Sequence, residues 1–162
     1  MKDIITGPIL AVEDNPDDLF LLESAIEKAE LKGEVRIVRD GIEAIEYLEG
    51  LGCYADRNRF PIPSLVLLDL NLPKRSGMGV LEWMRGRPEI ERIPVIVLSA
   101  SSSDTDVRSA YDLGAISYHV KSLSVDELIA LMHDIHVYRT SLADCVFEPT
   151  IFLSGATPRP VA

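Results

Sequence analysis

The sequence predicts an α/β fold: five strands alternating with five helices, (βα)5, in one doubly wound parallel five-stranded sheet. Three observations carry this. Short, continuous apolar runs recur along the chain, amphipathic stretches with recognisable capping residues lie between them, and acidic or polar residues stand where each run ends. Uninterrupted apolar runs are what parallel strands covered on both faces require. Right-handed crossovers then wind the chain to both sides of the sheet.

The elements follow in order. Pro8 to Val12, Leu65 to Leu68 and Pro94 to Leu98 read as covered strands. Val35 to Val38 and Ile116 to Val120 mix in Arg36, Ser117 and His119, which suits less covered edge strands. Asn15 can cap a first helix with Pro16 at its first position and Asp17-Asp18 facing the dipole; its apolar face runs to about Leu31. Asp40 opens a second helix that stops at Gly50, and Ser76 a third with Gly86 past its end. Ser103 opens a fourth closed by Gly114, and Ser124-Val-Asp-Glu127 is a capping box opening the fifth. Residues 51–63 make a longer loop, and residues 140–162 a tail without clear period.

Composition narrows the function. Of 162 residues, 47% are hydrophobic and 26% charged, which excludes a wholly disordered chain. No apolar run approaches the ~20 residues of a membrane span, and the start carries no signal-peptide pattern. Cys53 and Cys145 form no zinc or disulfide spacing, so a reducing, cytoplasmic setting is expected. With 26 acids against 16 bases the net charge is −10, which repels nucleic acid. No Gly-rich phosphate loop and no nucleophile elbow is present.

In an open parallel sheet, chemistry collects at the carboxyl ends of the strands. Those ends read Glu13-Asp14, Asp69, Ser99 and Lys121. Any one of them alone would be an ordinary cap or loop residue; their convergence on one rim is the signal. Two carboxylates ~4 Å apart repel by about 4 kcal/mol at an effective dielectric near 20, so either one carboxyl has a raised pKa or a cation sits among them. Mg2+, a hard ion that takes oxygen ligands, suits that set. Asp69 could then attack phosphorus to give an acyl phosphate, with Lys121 neutralising the developing charge. His119, His133 and His136 are poor catalytic candidates, two of them lying on the fifth helix away from the rim.

Over about residues 8–138 the chain resembles the CheY-like receiver domain of two-component response regulators, a flavodoxin-like fold. The resemblance rests on Glu13-Asp14, on Leu67-Leu-Asp69-Leu-Asn71-Leu-Pro73-Lys-Arg-Ser-Gly77, on Ser99-Ala100 and on Lys121. It implies that Asp69 is the phosphoacceptor, that Glu13, Asp14, Asp69 and the backbone carbonyl of Asn71 hold Mg2+, and that Lys121 pairs with the phosphoryl group. It also implies that Ser99 is the switch hydroxyl and Tyr118 the switch aromatic, turning inward as Ser99 moves. Residues 1–139 are then the receiver domain and 140–162 a C-terminal extension. Asp69-Leu-Asn-Leu-Pro-Lys and the loop Gly52-Cys-Tyr-Ala-Asp-Arg57 resemble the small regulators paired with phytochrome-like histidine kinases.

One departure stands out. The family usually places proline after the lysine, with a cis peptide; here Ser122 follows, and the bond is either a costly cis or a relaxed trans. The expected function is a phosphorelay response regulator that accepts phosphoryl from a sensor histidine kinase and switches the face of its fourth helix, fifth strand and fifth helix. The alternatives are a constitutive, non-cycling interaction module and, less well matched, a small-molecule phosphatase. Apolar Val146-Phe147 and Ile151-Phe-Leu153 in the extension point to a homodimer gripped by an arm.

Overall fold

Along each strand the side chains alternate between two apolar layers. The structure is a computed structural model and describes residues 7–144 and 155–161. The strands are β1 (Ile9–Val12), β2 (Val35–Val38), β3 (Leu65–Leu68), β4 (Val95–Ser99) and β5 (Ser117–Val120). They form one parallel sheet in the order β2-β1-β3-β4-β5, so the two strands expected at the edges are there. The helices are α1 (Pro16–Lys28), α2 (Gly41–Glu49), α3 (Gly77–Met84), a short α4 (Pro88–Glu91), α5 (Asp104–Asp112) and α6 (Val125–Asp144).

Ile9, Ala11, Leu65, Leu67 and Ile96 point to one side and are covered by α1 and α6 through Leu22, Ala25, Leu131, Met132 and Ile135. Leu10, Val12, Val66, Leu68, Val95 and Val97 point to the other, beneath α2, α3 and α5. This is the doubly wound, flavodoxin-like and CheY-like architecture expected from the strand pattern.

The caps form as their chemistry demands. Asn15 Oδ1 accepts the amides of Asp17 and Asp18 at 2.9 and 3.2 Å, Asp40 Oδ1 that of Glu43 at 2.8 Å, and Ser76 Oγ that of Gly79 at 3.1 Å. At α6, Ser124 and Glu127 exchange side-chain bonds in a complete capping box. Ser103 precedes α5 but makes no side-chain cap.

Several features differ from the sequence expectation. The first helix ends at Lys28: Glu30 takes a left-handed φ of 51°, and the amide of Leu31 closes back on the carbonyl of Ile26, which buries Leu31 outside the helix. The last helix continues across residues 139 and 140 to Asp144. The long loop is built rather than open. It carries a 3-10 turn at Gly52–Tyr54, and Arg57 donates to the carbonyls of Tyr47, Leu48 and Phe60. Tyr47, Tyr54 and Phe60 pack ring against ring over it.

The fifth strand is an edge strand, as its polar residues suggest, but it is not thinly covered. Ser117, Tyr118 and His119 are all buried. Ser117 Oγ and His119 Nε2, two residues apart on one face, share a hydrogen bond of 2.8 Å, which makes their burial tolerable. Burial holds the His119 imidazole down to about 4, against an ordinary 6.5, with Asp134 opposing weakly.

The unfolded chain therefore takes up this proton at higher pH than the folded one. The stability contributed by the neutral ring is full above about pH 6.5 and is lost as pH falls toward 4, on the order of 3 kcal/mol in total. Urea unfolding of the native chain and His119→Gln across pH 7 to 4 should show their stability difference shrinking by that amount. Parallel curves would mean His119 titrates normally.

Candidate functional site

Register does the first work of assembly. Because β1, β3, β4 and β5 are parallel, their carboxyl ends open on one rim, and the residues that follow them meet there. Glu13 follows β1, with its amide on the carbonyl of Val38 at 3.0 Å; Asp69 follows β3, its amide on Val12 at 3.1 Å; Lys121 follows β5, its amide on Ser99 at 2.8 Å. Glu13 and Asp69 are buried and Asp14 is exposed.

The Lys121 ammonium binds three carboxylates at once: Glu13 Oε2 at 2.6 Å, Asp18 Oδ2 at 2.8 Å and Asp69 Oδ2 at 2.8 Å. An ammonium has three donors, and each has its own acceptor. Burial alone would depress this lysine, but the three acids outweigh it and hold the ammonium above its ordinary value. Burial pushes the Glu13 carboxyl up; Lys121 and the Asn15 amide on Oε1 at 3.0 Å pull against it, while the charge of Asp69 adds to the rise. The other oxygen of Asp69, Oδ1, accepts the Asn71 amide at 3.0 Å.

The loop that carries Asn71 is clamped. A Cβ on Gly77 would fall 2.1 Å from the Asp69 carbonyl oxygen, and one on Gly41 would fall 2.0 Å from that of Arg75, so only glycine allows these approaches. Lys74, at a left-handed φ of 63°, is tied to Asp40 Oδ2 at 2.7 Å. Asp40 thus does more than cap α2.

The Lys121–Ser122 peptide is trans, as are all peptides among the described residues, and the ammonium nevertheless reaches Asp69. Ser99 is fully buried, and its Oγ accepts the Ser101 amide at 3.2 Å. Tyr118 stands inside already: it is fully buried and donates to the Ser101 carbonyl at 2.8 Å. The expected inward turn therefore has no outward starting point here; the space beneath the β4–α5 loop is large enough to hold the ring with Ser99 in place.

Glu13, Asp14 and Asp69 each offer an oxygen within 4.8 Å of the others. Three hard oxygen donors fit a divalent cation of the Mg2+ or Mn2+ kind. Sequence reasoning placed all of these residues but assigned Asp18 only to the helix dipole and did not single out Ser101. His133 is exposed on α6 and His136 half-buried, away from this rim. Among the described residues no helix is long and apolar enough to cross a membrane.

A buried aspartate at the end of β3, faced by a lysine and by two further acids, defines a phosphoacceptor class of α/β protein. Residues 9–133 match the response regulator receiver domain, and the chain belongs to that family. The family is that of the phosphoacceptor domains of two-component systems, whose phosphoryl donor is a kinase. Response regulator Rcp1 of Synechocystis sp. is 36% identical over 130 residues, covering 80% of this chain and 86% of that protein. The probable methanogenesis regulatory protein FilR2 of Methanothrix harundinacea is 38% identical over 133 residues, covering 80% and 81%.

Among solved structures, the phosphorylated cyanobacterial phytochrome response regulator RcpA superposes with a TM-score of 0.74 at 39% identity, over 84% of this chain and 95% of that one. The Mn2+-bound form of Rcp1 gives 0.72 at 34% identity, over 89% and 99%.

If the acids hold the cation, Glu13→Gln combined with Asp14→Asn should weaken Mg2+ or Mn2+ binding at least about tenfold, since two charged ligands are lost. Calorimetric titration checks this; unchanged affinity would place the cation elsewhere.

Proposed function

We propose that Asp69 is the phosphoacceptor of a phosphorelay response regulator and that Glu13, Asp14, Asp69 and the Asn71 carbonyl hold Mg2+. The observation that carries the reading is the buried Asp69 carboxylate with Lys121 at 2.8 Å from one oxygen and the Asn71 amide at 3.0 Å from the other. A carboxylate oxygen of Asp69 forms the new O–P bond as the donor's P–N bond breaks, and the imidazole keeps that electron pair and takes a proton. Held by these residues, Mg2+ would supply Lewis-acid stabilisation of the charge on the transferring oxygens. Lys121 meets the charge gathered on the phosphoryl group, which orients it against Asp69. Slow hydrolysis of the acyl phosphate by water returns the chain to its starting state.

Ser99 and Tyr118 act as the switch pair. The path is Ser99 Oγ to the Ser101 amide, then the Ser101 carbonyl to the Tyr118 hydroxyl, while Ser101 Oγ donates to Asp106 of α5 at 2.5 Å. Drawing Ser99 toward phosphoryl disturbs that path and reshapes the α5–β5–α6 face. The similarity to RcpA and Rcp1 supports a phytochrome-like sensor histidine kinase as partner and a cytoplasmic setting.

Intact mass after incubation with a small phosphoryl donor tests the core of this reading. The native chain should gain one phosphoryl group only with Mg2+, and Asp69→Asn should gain none. Labelling of the variant would move the acceptor elsewhere.

The reading extends to a homodimer through the α5–β5–α6 face and the C-terminal arm. Val146-Phe147 and Ile151-Phe-Leu153 lie outside the described residues. Residues 155–161 lie along that same face: the Thr157 amide donates to the Tyr118 carbonyl at 2.7 Å, Tyr111 donates to the Thr157 carbonyl at 2.6 Å, and Arg159 pairs with Asp112. Light scattering on a chain lacking residues 145–162, which leaves α6 whole, should give the mass of one chain where the native chain gives that of two. A shortened chain that still gives twice its own mass would exclude the arm from assembly.

A further inference from the structure

We infer that Asp18 is a positioning residue for phosphoryl transfer, holding the Lys121 ammonium in place through a step in which its other two carboxylate partners are claimed by new bonds. The inference rests on Asp69 being the phosphoacceptor.

Asp18 is the third residue of α1, after the Asn15 cap, Pro16 and Asp17. An acid at this position ordinarily reaches back to the amide of the capping residue. Here that amide is already taken, because Asn15 donates to Glu13 Oε1 at 3.0 Å. The Asp18 carboxylate is thereby released from the helix terminus and turns to Lys121 at 2.8 Å. The bond spans 103 positions of sequence, so it is a tertiary choice rather than a local one.

The three acids around the ammonium are not equivalent. Glu13 and Asp69 belong to the set whose oxygens converge within 4.8 Å as candidate cation ligands; Asp18 does not. Glu13 and Asp69 side chains are 8% and 5% exposed, whereas Asp18 is 37% exposed and sits on the solvent side of the lysine. When a cation and a phosphoryl group engage Glu13 and Asp69, Asp18 is the partner left to Lys121. One of the three N–H donors then stays anchored, and the other two are free to turn to phosphoryl oxygens. Without that anchor the four-carbon stem would swing among its rotamers and lose orientation.

The alternative is that Asp18 only complements the α1 dipole, as an acid in any first turn does. The two roles differ in their dependence on Lys121, which a double-mutant cycle measures. The variants are Asp18→Asn, Asp18→Glu, Lys121→Met and the Asp18→Asn/Lys121→Met pair. Each is followed by intact mass with a small phosphoryl donor and Mg2+, and separately by urea unfolding with neither present.

Asp18→Asn should label about tenfold more slowly than native, a loss typical of a misplaced catalytic group. Asp18→Glu should recover most of the rate. In the Lys121→Met background Asp18→Asn should cause no further slowing, and its effect on stability should change sign, because there Asp18 is only a like charge beside Glu13 and Asp69. Native-like labelling of Asp18→Asn, or an equal stability loss in both backgrounds, would overturn the positioning role. Failure of the native chain itself to label at Asp69 would instead overturn the phosphoacceptor reading on which it rests.

Discussion

The site depends on one half-buried ammonium. Glu13 and Asp69 come from two adjacent parallel strands and are both taken out of water, so their charges need a counter-charge inside the protein. Lys121 supplies it from the far edge of the sheet, two strands away from Asp69. Removing one member of such a set leaves uncompensated buried charge, so each residue is held by the others rather than by its own rotamer preference. The same two acids, with Asp14, bring their oxygens within 4.8 Å of one another, a set that fits a divalent cation.

Around that charge cluster the backbone is fixed by close approach rather than by side-chain bulk. The loop of residues 70–76 is caught between two glycines, Gly41 and Gly77, whose missing Cβ atoms let the Arg75 and Asp69 carbonyls pass. The Asp40–Lys74 pair holds the one left-handed residue of the loop. A non-glycine residue in that region costs free energy, and it persists where the surroundings leave no alternative. The consequence is that Asn71, whose amide fixes Asp69 Oδ1, is placed by residues of α2 as much as by its own strand.

The sheet, its strand directions and the identity of its edges were legible because they rest on short-range signals: unbroken apolar runs, caps, and glycines after helices. Glu13, Asp14, Asp69, Ser99 and Lys121 were legible for a topological reason, since parallel strands deliver their ends to one rim whatever the side-chain details. What escaped depends on which partner each polar group takes and on where the backbone turns. Asp18 looks like a dipole acid until Asn15 is seen to spend its amide on Glu13. Ser117 and His119 look exposed until the bond between Ser117 Oγ and His119 Nε2 is seen. Leu31 has the right face but the wrong backbone, because the chain reverses at Glu30 and delivers the side chain to the core by another route. The continuation of α6 past Arg139 carries no strong apolar period, so periodicity could not extend it.

The position of Tyr118 sharpens how the rim connects to the far edge of the sheet. Its side chain enters the layer beneath α5 and ends on the Ser101 carbonyl, while its backbone carbonyl faces outward and accepts the Thr157 amide. One residue therefore joins the loop after Ser99 on its inner side to the C-terminal segment on its outer side. Tyr111 of α5 bonds the same segment through the Thr157 carbonyl. Ser101 is bonded on both sides, its amide donating to Ser99 Oγ and its carbonyl accepting from the Tyr118 hydroxyl. The extension is bonded to both β5 and α5. These bonds form a continuous route from the loop after Ser99 to residues 155–161, and that route passes through the Tyr118 ring, whose close-packed surroundings in the layer beneath α5 resist deformation by small steps.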